Sequence, residues 1–402
     1  MSLTGKEVQL LDQQYVMHSW SKQGNASIPV EKEDGIYFWD YDGKKYADMS
    51  SLLVCTNLGH NNREIIDAIK EQAEKMCFMA PAYASEPKSV LAKMLVELAG
   101  DNMARVFFTN GGAESNENAI KMARMVTGRT KIFSRYRSYH GATLGASNAS
   151  GDPRRFAAEM GGANGFVKFI DPYTYHDGFD DDEKATKYYL RLLEEQLIYE
   201  GPYNVAAIIM ESITGANGVL IPPKGYMEGV RALCDKYGIM MICDEVMAGF
   251  ARTGKMFEFQ NFDIKPDMVT FAKGVTCGYV QLGGVIVCDK VADYFKDNVL
   301  QCGLTYSGHT LACAAGVASV SYYGKHNICQ HVNEVGKVLA DFLDKMVEKH
   351  PCVGQARHIG LFSALELVKN KETREPLVPY GTPNTIMPCL LYTSWNFIFY
   401  YI

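Results

Sequence analysis

The chain has 402 residues, 47% of them hydrophobic and 21% charged, with a formal net charge of −6. That length supports a large core and two subdomains, and the acidic balance gives no reason to expect nucleic acid or an anionic membrane as partner. No apolar run approaches the roughly 18–20 residues of a membrane span, the N-terminus lacks the apolar core of a signal peptide, and eleven cysteines without a Cys-x-x-Cys pair point to a reducing cytoplasm, with no disulfide frame and no metal site.

Residues 1–50 open with a helical segment, followed by His18-Ser19-Trp20-Ser21 and a hairpin over 36–39 and 45–47 turned at Asp42-Gly43. Leu58-Gly59-His60 precedes a helix over 63–75, with Ile65, Ile66, Ala68 and Ile69 at helical spacing. A helix over 86–99 leads to a short strand, 104–109, and then to Asn110-Gly111-Gly112-Ala113-Glu114. The next helix, 115–124, carries Ala119, Ile120 and Ala123 on one face. A glycine pair between strand and helix exposes backbone N–H groups at a helix N-terminus, which suits a phosphate or serves only as a tight connection. Ser138-Tyr139-His140-Gly141 follows, ahead of Ser150-Gly151-Asp152. An aromatic there can hold a flat cofactor by face contact, while His140-Gly141 shapes the turn.

The second half supplies buried strands. Residues 204–210 are continuously apolar and end at Glu211, and a helix over 227–236 leads to a second apolar run, 239–243, which ends in Asp244-Glu245. A third strand, 268–272, ends at Lys273, and a fourth covers 283–288. A carboxylate and an amine thus stand at the carboxyl ends of buried strands, the edge where open α/β sheets bind ligands. Then come Gly303-Leu304-Thr305-Tyr306-Ser307-Gly308-His309, a small-residue helix over 312–317, an amphipathic helix over 332–350, and an edge strand near 357–367. That helix carries Val335, Val338, Leu339, Phe342, Leu343 and Met346 at helical spacing.

The run Asp244-Glu245-Val246, Gly249-Phe250-Ala251-Arg252-Thr253-Gly254, Pro266-Asp267 and Lys273 resembles the motif series of class III (ω-amino acid) aminotransferases. These are pyridoxal phosphate (PLP) enzymes of fold type I. The resemblance implies an α/β fold: a large domain with a mostly parallel sheet over 56–310, and a small α+β domain built from 1–55 and 311–388. It implies that Lys273 carries PLP and shuttles protons, while Asp244 keeps the pyridine nitrogen protonated. Gly112 and Ala113 would hold the phosphate, Tyr139 would stack on the ring, and His140, Glu211 and Val246 would complete the cofactor-binding set. Glu211 would otherwise organise its own loop.

Ala113 stands where other members have a serine, so a further hydroxyl is needed. Thr305 is the candidate, reaching a partner's cofactor in a homodimer with shared active sites; the alternative is an ordinary helix cap. Trp20 would roof the substrate channel or else pack as an ordinary tryptophan. Asn62-Arg63 departs from the family's usual His-Pro. The series is most like the taurine/β-alanine:pyruvate group. Diaminopelargonate-type and 4-aminobutyrate enzymes, an aminomutase and an inactive truncated fragment stay open. The resemblance stops near residue 387, before an arginine with which family members often grip the substrate carboxylate. Residues 389–402 are expected to be a non-native tail, since Cys389 to Ser394 read like a translated sequencing adaptor.

Overall fold

The computed structural model describes residues 3–157, 165–380, 382, 397 and 398. A small sheet comes first: β1 (Val30–Asp34), β2 (Tyr37–Asp40) and β3 (Lys45–Asp48) form an antiparallel meander. The central strands are β4 (Met103–Thr109), β5 (Lys131–Arg135), β6 (Phe166–Phe169), β7 (Val205–Met210), β8 (Met240–Asp244), β9 (Met268–Phe271) and β10 (Gly283–Cys288). They form one sheet in the order β4-β10-β9-β8-β7-β5-β6. All neighbours pair in parallel except β10, which runs against both β9 and β4. The fold is therefore α/β with a mostly parallel sheet.

Every residue of β7, β8, β9 and β10 is buried. Helices cover such strands on both sides, which is why their sequences run apolar without alternation. Ile208, Ile209, Ile242 and Val269 are wholly inaccessible, each stabilising the core by about 1.5–3 kcal/mol relative to exposure. A third sheet is built from β11 (Val353–Ile359), β12 (Phe362–Asn370) and β13 (Glu375–Pro376).

Two elements differ from expectation. The helix expected over 115–124 is Gly112–Thr127, with Gly111 as its N-cap. Gly112 and Ala113 therefore belong to its first turn, because an extended glycine cap needs no side chain to start a helix. The amphipathic helix is Ile328–Lys349, and of its six expected apolar residues only Leu343 is buried. Val338 is 71% and Phe342 56% exposed. The helix lies against β11 with one narrow face, and helical spacing alone does not say how wide a stripe gets covered. The suspected tail, 389–402, lies outside the described residues apart from 397 and 398, whose backbone (β14) pairs in parallel with Ala47 and Asp48 of β3.

Candidate active site

A cavity of about 530 Å³ opens at the carboxyl edge of the central strands. Trp20, Gly112, Ala113, Tyr139, His140, Glu211, Asp244, Val246 and Lys273 all line it. Thr305 does not; it is exposed, in a turn preceding the helix Thr310–Lys325. The N-cap of that helix is His309, so Thr305 is not a cap.

Asp244 is the last residue of β8, level with Thr270 of β9. Its Oδ2 accepts hydrogen bonds from Asn116 Nδ2 at 2.8 Å and His140 Nδ1 at 2.7 Å, while Oδ1 accepts from the Val246 N–H at 3.0 Å. Asn116 is itself fixed: Thr270 Oγ1 donates to its Oδ1 at 2.7 Å, and its Nδ2 also reaches the His140 carbonyl at 2.7 Å. His140 takes Ser150 Oγ on its backbone N–H at 2.8 Å, so it does shape the turn. Its Nε2 is buried without a partner. The carboxylate is thus held by three donors in a dry setting, where such bonds are strong.

Lys273 follows β9 after one residue and sits at φ +45°, the left-handed region that non-glycine residues rarely occupy. Its amine is pushed toward the neutral, nucleophilic form by burial, against the opposing pull of the Asp244 carboxylate. Glu211 is buried at the same edge. It accepts from the Tyr139 N–H at 3.1 Å and the Gly215 N–H at 2.6 Å, so it ties two loops together while lining the cavity. Burial raises its carboxyl above the usual range.

At the mouth, the Arg154 guanidinium lies 3.7 Å from the Tyr139 ring centroid. Its Nε donates to both Asp152 oxygens at 2.8 and 3.1 Å. Trp20, 60% exposed, meets the Tyr139 ring edge-on at 6.4 Å. In this chain it stands at the surface of the cavity mouth, outside the core. Arg154 and Asn116 were not singled out in the sequence. Asn116 had a readable signal, a polar side chain on the buried side of a helix; Arg154, two residues past Ser150-Gly151-Asp152, had none.

These residues fit PLP. A cavity-facing amine, a fixed carboxylate, an aromatic ring and a helix N-terminus without a side-chain cap match its aldehyde, pyridine nitrogen, ring face and phosphate. The cradle is closely built: a Cβ on Gly112 would stand 2.7 Å from Val246 Cγ1, and one on Gly141 2.5 Å from the Ala113 Cβ.

Comparison with known proteins agrees. The family model "Aminotransferase class-III" matches residues 19–387. The taurine–pyruvate aminotransferase of Bilophila wadsworthia is 34% identical over 94% of this chain and 86% of its own. The putrescine–pyruvate aminotransferase of Pseudomonas aeruginosa is 34% identical over 88% of this chain and 79% of its own. Among solved structures, a taurine:2-oxoglutarate aminotransferase from Bifidobacterium kashiwanohense, in complex with PLP and glutamate, superposes with a TM-score of 0.97. It is 69% identical and covers 99% of this chain and 91% of that one. An α/β scaffold with a PLP-compatible cradle is the class defined here. The chain belongs to the class-III aminotransferases, enzymes that use pyridoxal phosphate.

Proposed function

We propose that this chain moves the amino group of an ω-amino donor with an anionic tail, taurine foremost, to a keto acid. The observation that carries this is Arg154, whose guanidinium lines the cavity that Lys273 also lines. Its Nε and Nη2 are paired with Asp152, so a sulfonate or carboxylate meets its remaining N–H groups through charge-assisted hydrogen bonds. Taurine is the donor named for relatives at 34% and 69% identity. Pyruvate and 2-oxoglutarate are their respective acceptors, and the higher identity favours 2-oxoglutarate.

Bound PLP supplies an electron sink and a temporary carrier for the nitrogen. Lys273 Nζ would take the proton from the amine-bearing carbon of the donor and hold it for return. The Asp244 carboxylate holds a proton on the pyridine nitrogen, with Asn116 and His140 fixing its orientation. The first turn of Gly112–Thr127 would hold the phosphate, and Tyr139 would hold the ring. Trp20 with Arg154 orients the donor's tail and screens the mouth from water.

Thr305 is assigned to the phosphate of a second subunit in a homodimer. The exposed Tyr306, next to it in the chain, favours a buried interface there. Among the described residues the cysteines are all free and no helix is long and apolar enough to cross a membrane. A cytosolic location accords with the thiols.

The test is a panel of amine donors against pyruvate and 2-oxoglutarate, beside Lys273→Ala. Taurine should be a leading donor, and Lys273→Ala should lose both turnover and the visible absorbance of lysine-linked cofactor. Turnover in that variant would overturn the assignment. Sedimentation should give a dimer, and Thr305→Ala should weaken PLP retention.

A further inference from the structure

We propose that Tyr323, fifty positions beyond Lys273, is a positioning residue for that lysine: with Cys277 and Ser319 it grips the Gly274 carbonyl and keeps the turn bearing Lys273 in its strained shape. Tyr323 lies on the helix Thr310–Lys325 and is buried. Its hydroxyl donates to the Gly274 carbonyl at 2.9 Å, and Cys277 Sγ and Ser319 Oγ approach the same oxygen at 3.4 and 3.5 Å. The three side chains also touch one another, Cys277 Sγ lying 3.2 Å from Tyr323 Oη and 3.4 Å from Ser319 Oγ. A carbonyl has two lone pairs, so three converging groups saturate it.

The Cα of Gly274 is equally confined. A Cβ on Gly274 would stand 2.7 Å from both Asn57 Nδ2 and Phe250 Cβ. Asn57 is anchored in turn, donating to the Phe250 carbonyl at 2.9 Å and accepting from Arg252. The turn is therefore held at the Gly274 carbonyl by the tyrosine cluster and at the Gly274 Cα by Asn57 and Phe250. Both Lys273, at φ +45°, and Cys277, at φ +53°, are held in the left-handed region. Such conformations persist only where the surroundings over-determine them. Freeing the Gly274 carbonyl lets Lys273 relax toward ordinary backbone angles, and its side chain swings with the backbone.

Tyr323→Phe removes the hydroxyl and keeps the ring packed near Phe250. The expected result for the holoenzyme is a kcat lowered roughly threefold to tenfold, the size of one net hydrogen bond, with the donor KM changed by less than about twofold. The visible circular dichroism of lysine-linked cofactor should lose intensity, and apoprotein should recapture PLP more slowly. A purely structural role would lower the melting temperature and leave both spectrum and kcat alone; that result overturns the inference. Should Tyr323→Phe fail to fold, Cys277→Ala thins the same cluster and should shift the dichroism the same way by less. An unchanged spectrum there also overturns it. The inference rests on Lys273 carrying the cofactor. If that reading fails, Lys273→Ala keeps the visible band; if only this inference fails, Lys273→Ala is colourless and Tyr323→Phe matches wild type.

Discussion

His140 and Asp244 meet at 2.7 Å, imidazole Nδ1 to carboxylate Oδ2, both side chains being almost wholly withdrawn from solvent. Asn116 reaches the same oxygen, so Oδ2 is committed to two protein donors. The carboxylate is thereby aimed by residues that lie 128 and 104 positions away in the chain.

Asn116→Ala removes one of those donors and the link to Thr270. Kcat should fall by about tenfold or more, the range for a hydrogen bond to a charged group. The alkaline limb of kcat against pH should move to lower pH, since a looser carboxylate holds the ring proton less firmly. Asp244→Asn should cost about a hundredfold or more. Steady-state assays across pH, with PLP saturating, check both.

Arg154→Gln keeps a polar side chain at the mouth and discards the cation. KM for taurine and for the keto acid should rise by roughly ten- to a hundredfold, the worth of a charge-assisted pair. Amines without an anionic group should be used as before. Parallel kinetics with taurine and an uncharged amine of similar size decide the matter; an equal loss for both would remove Arg154 from substrate recognition.

Glu245 and Glu258 place two carboxyls beneath the site, both fully buried. Burial pushes Glu245 up to about 7 and Glu258 well above the usual carboxylate range, with the Glu245 charge adding to the effect. Folded protein thus binds more protons than unfolded chain, whose glutamates titrate near 4.5. This contribution to stability is complete below that value and is lost as pH rises toward 7 and beyond. Glu258→Gln should flatten the decline, raising the thermal midpoint by a few degrees at about pH 8 and little at about pH 5. Calorimetry of the holoenzyme across that range reads the difference.

Gly112→Ala tests the cradle. The new methyl would stand 2.7 Å from Val246 Cγ1, and Val246 is tied to Asp244 through its N–H. Steric displacement there should weaken PLP binding by roughly tenfold, in line with the usual cost of overpacking. Equilibrium titration of apoprotein with PLP measures it.

Much of this was legible in sequence. The apolar runs ending at Glu211, Asp244 and Lys273 are the strands β7, β8 and β9, give or take one residue, because strands buried on both faces leave an unmistakable pattern. Every candidate site residue except Thr305 lines one cavity. The direction of β10 was not legible, since a buried strand reads alike whether parallel or antiparallel. Nor was Arg154, whose meaning depends on the short 3-10 helix Pro153–Ala157 being brought over Tyr139. The covered width of Ile328–Lys349 was not legible for a related reason: spacing reports which residues share a face, and only the tertiary structure reports what covers it.

Gly283 opens the one strand that runs backward. Any Cβ at this position would come within 2.9 Å of both the Gly111 carbonyl carbon and the Phe271 oxygen. On one side lies the loop leading to Gly112 and on the other the strand end leading to Lys273, stitched together by Ser115 Oγ donating to the Phe271 carbonyl at 3.1 Å. The separation between the anchor for a phosphate and the anchor for an aldehyde is thus set by a residue with no side chain at all. Ligand reach in this enzyme is gauged by backbone thickness, and a larger residue at 283 would force these two segments apart.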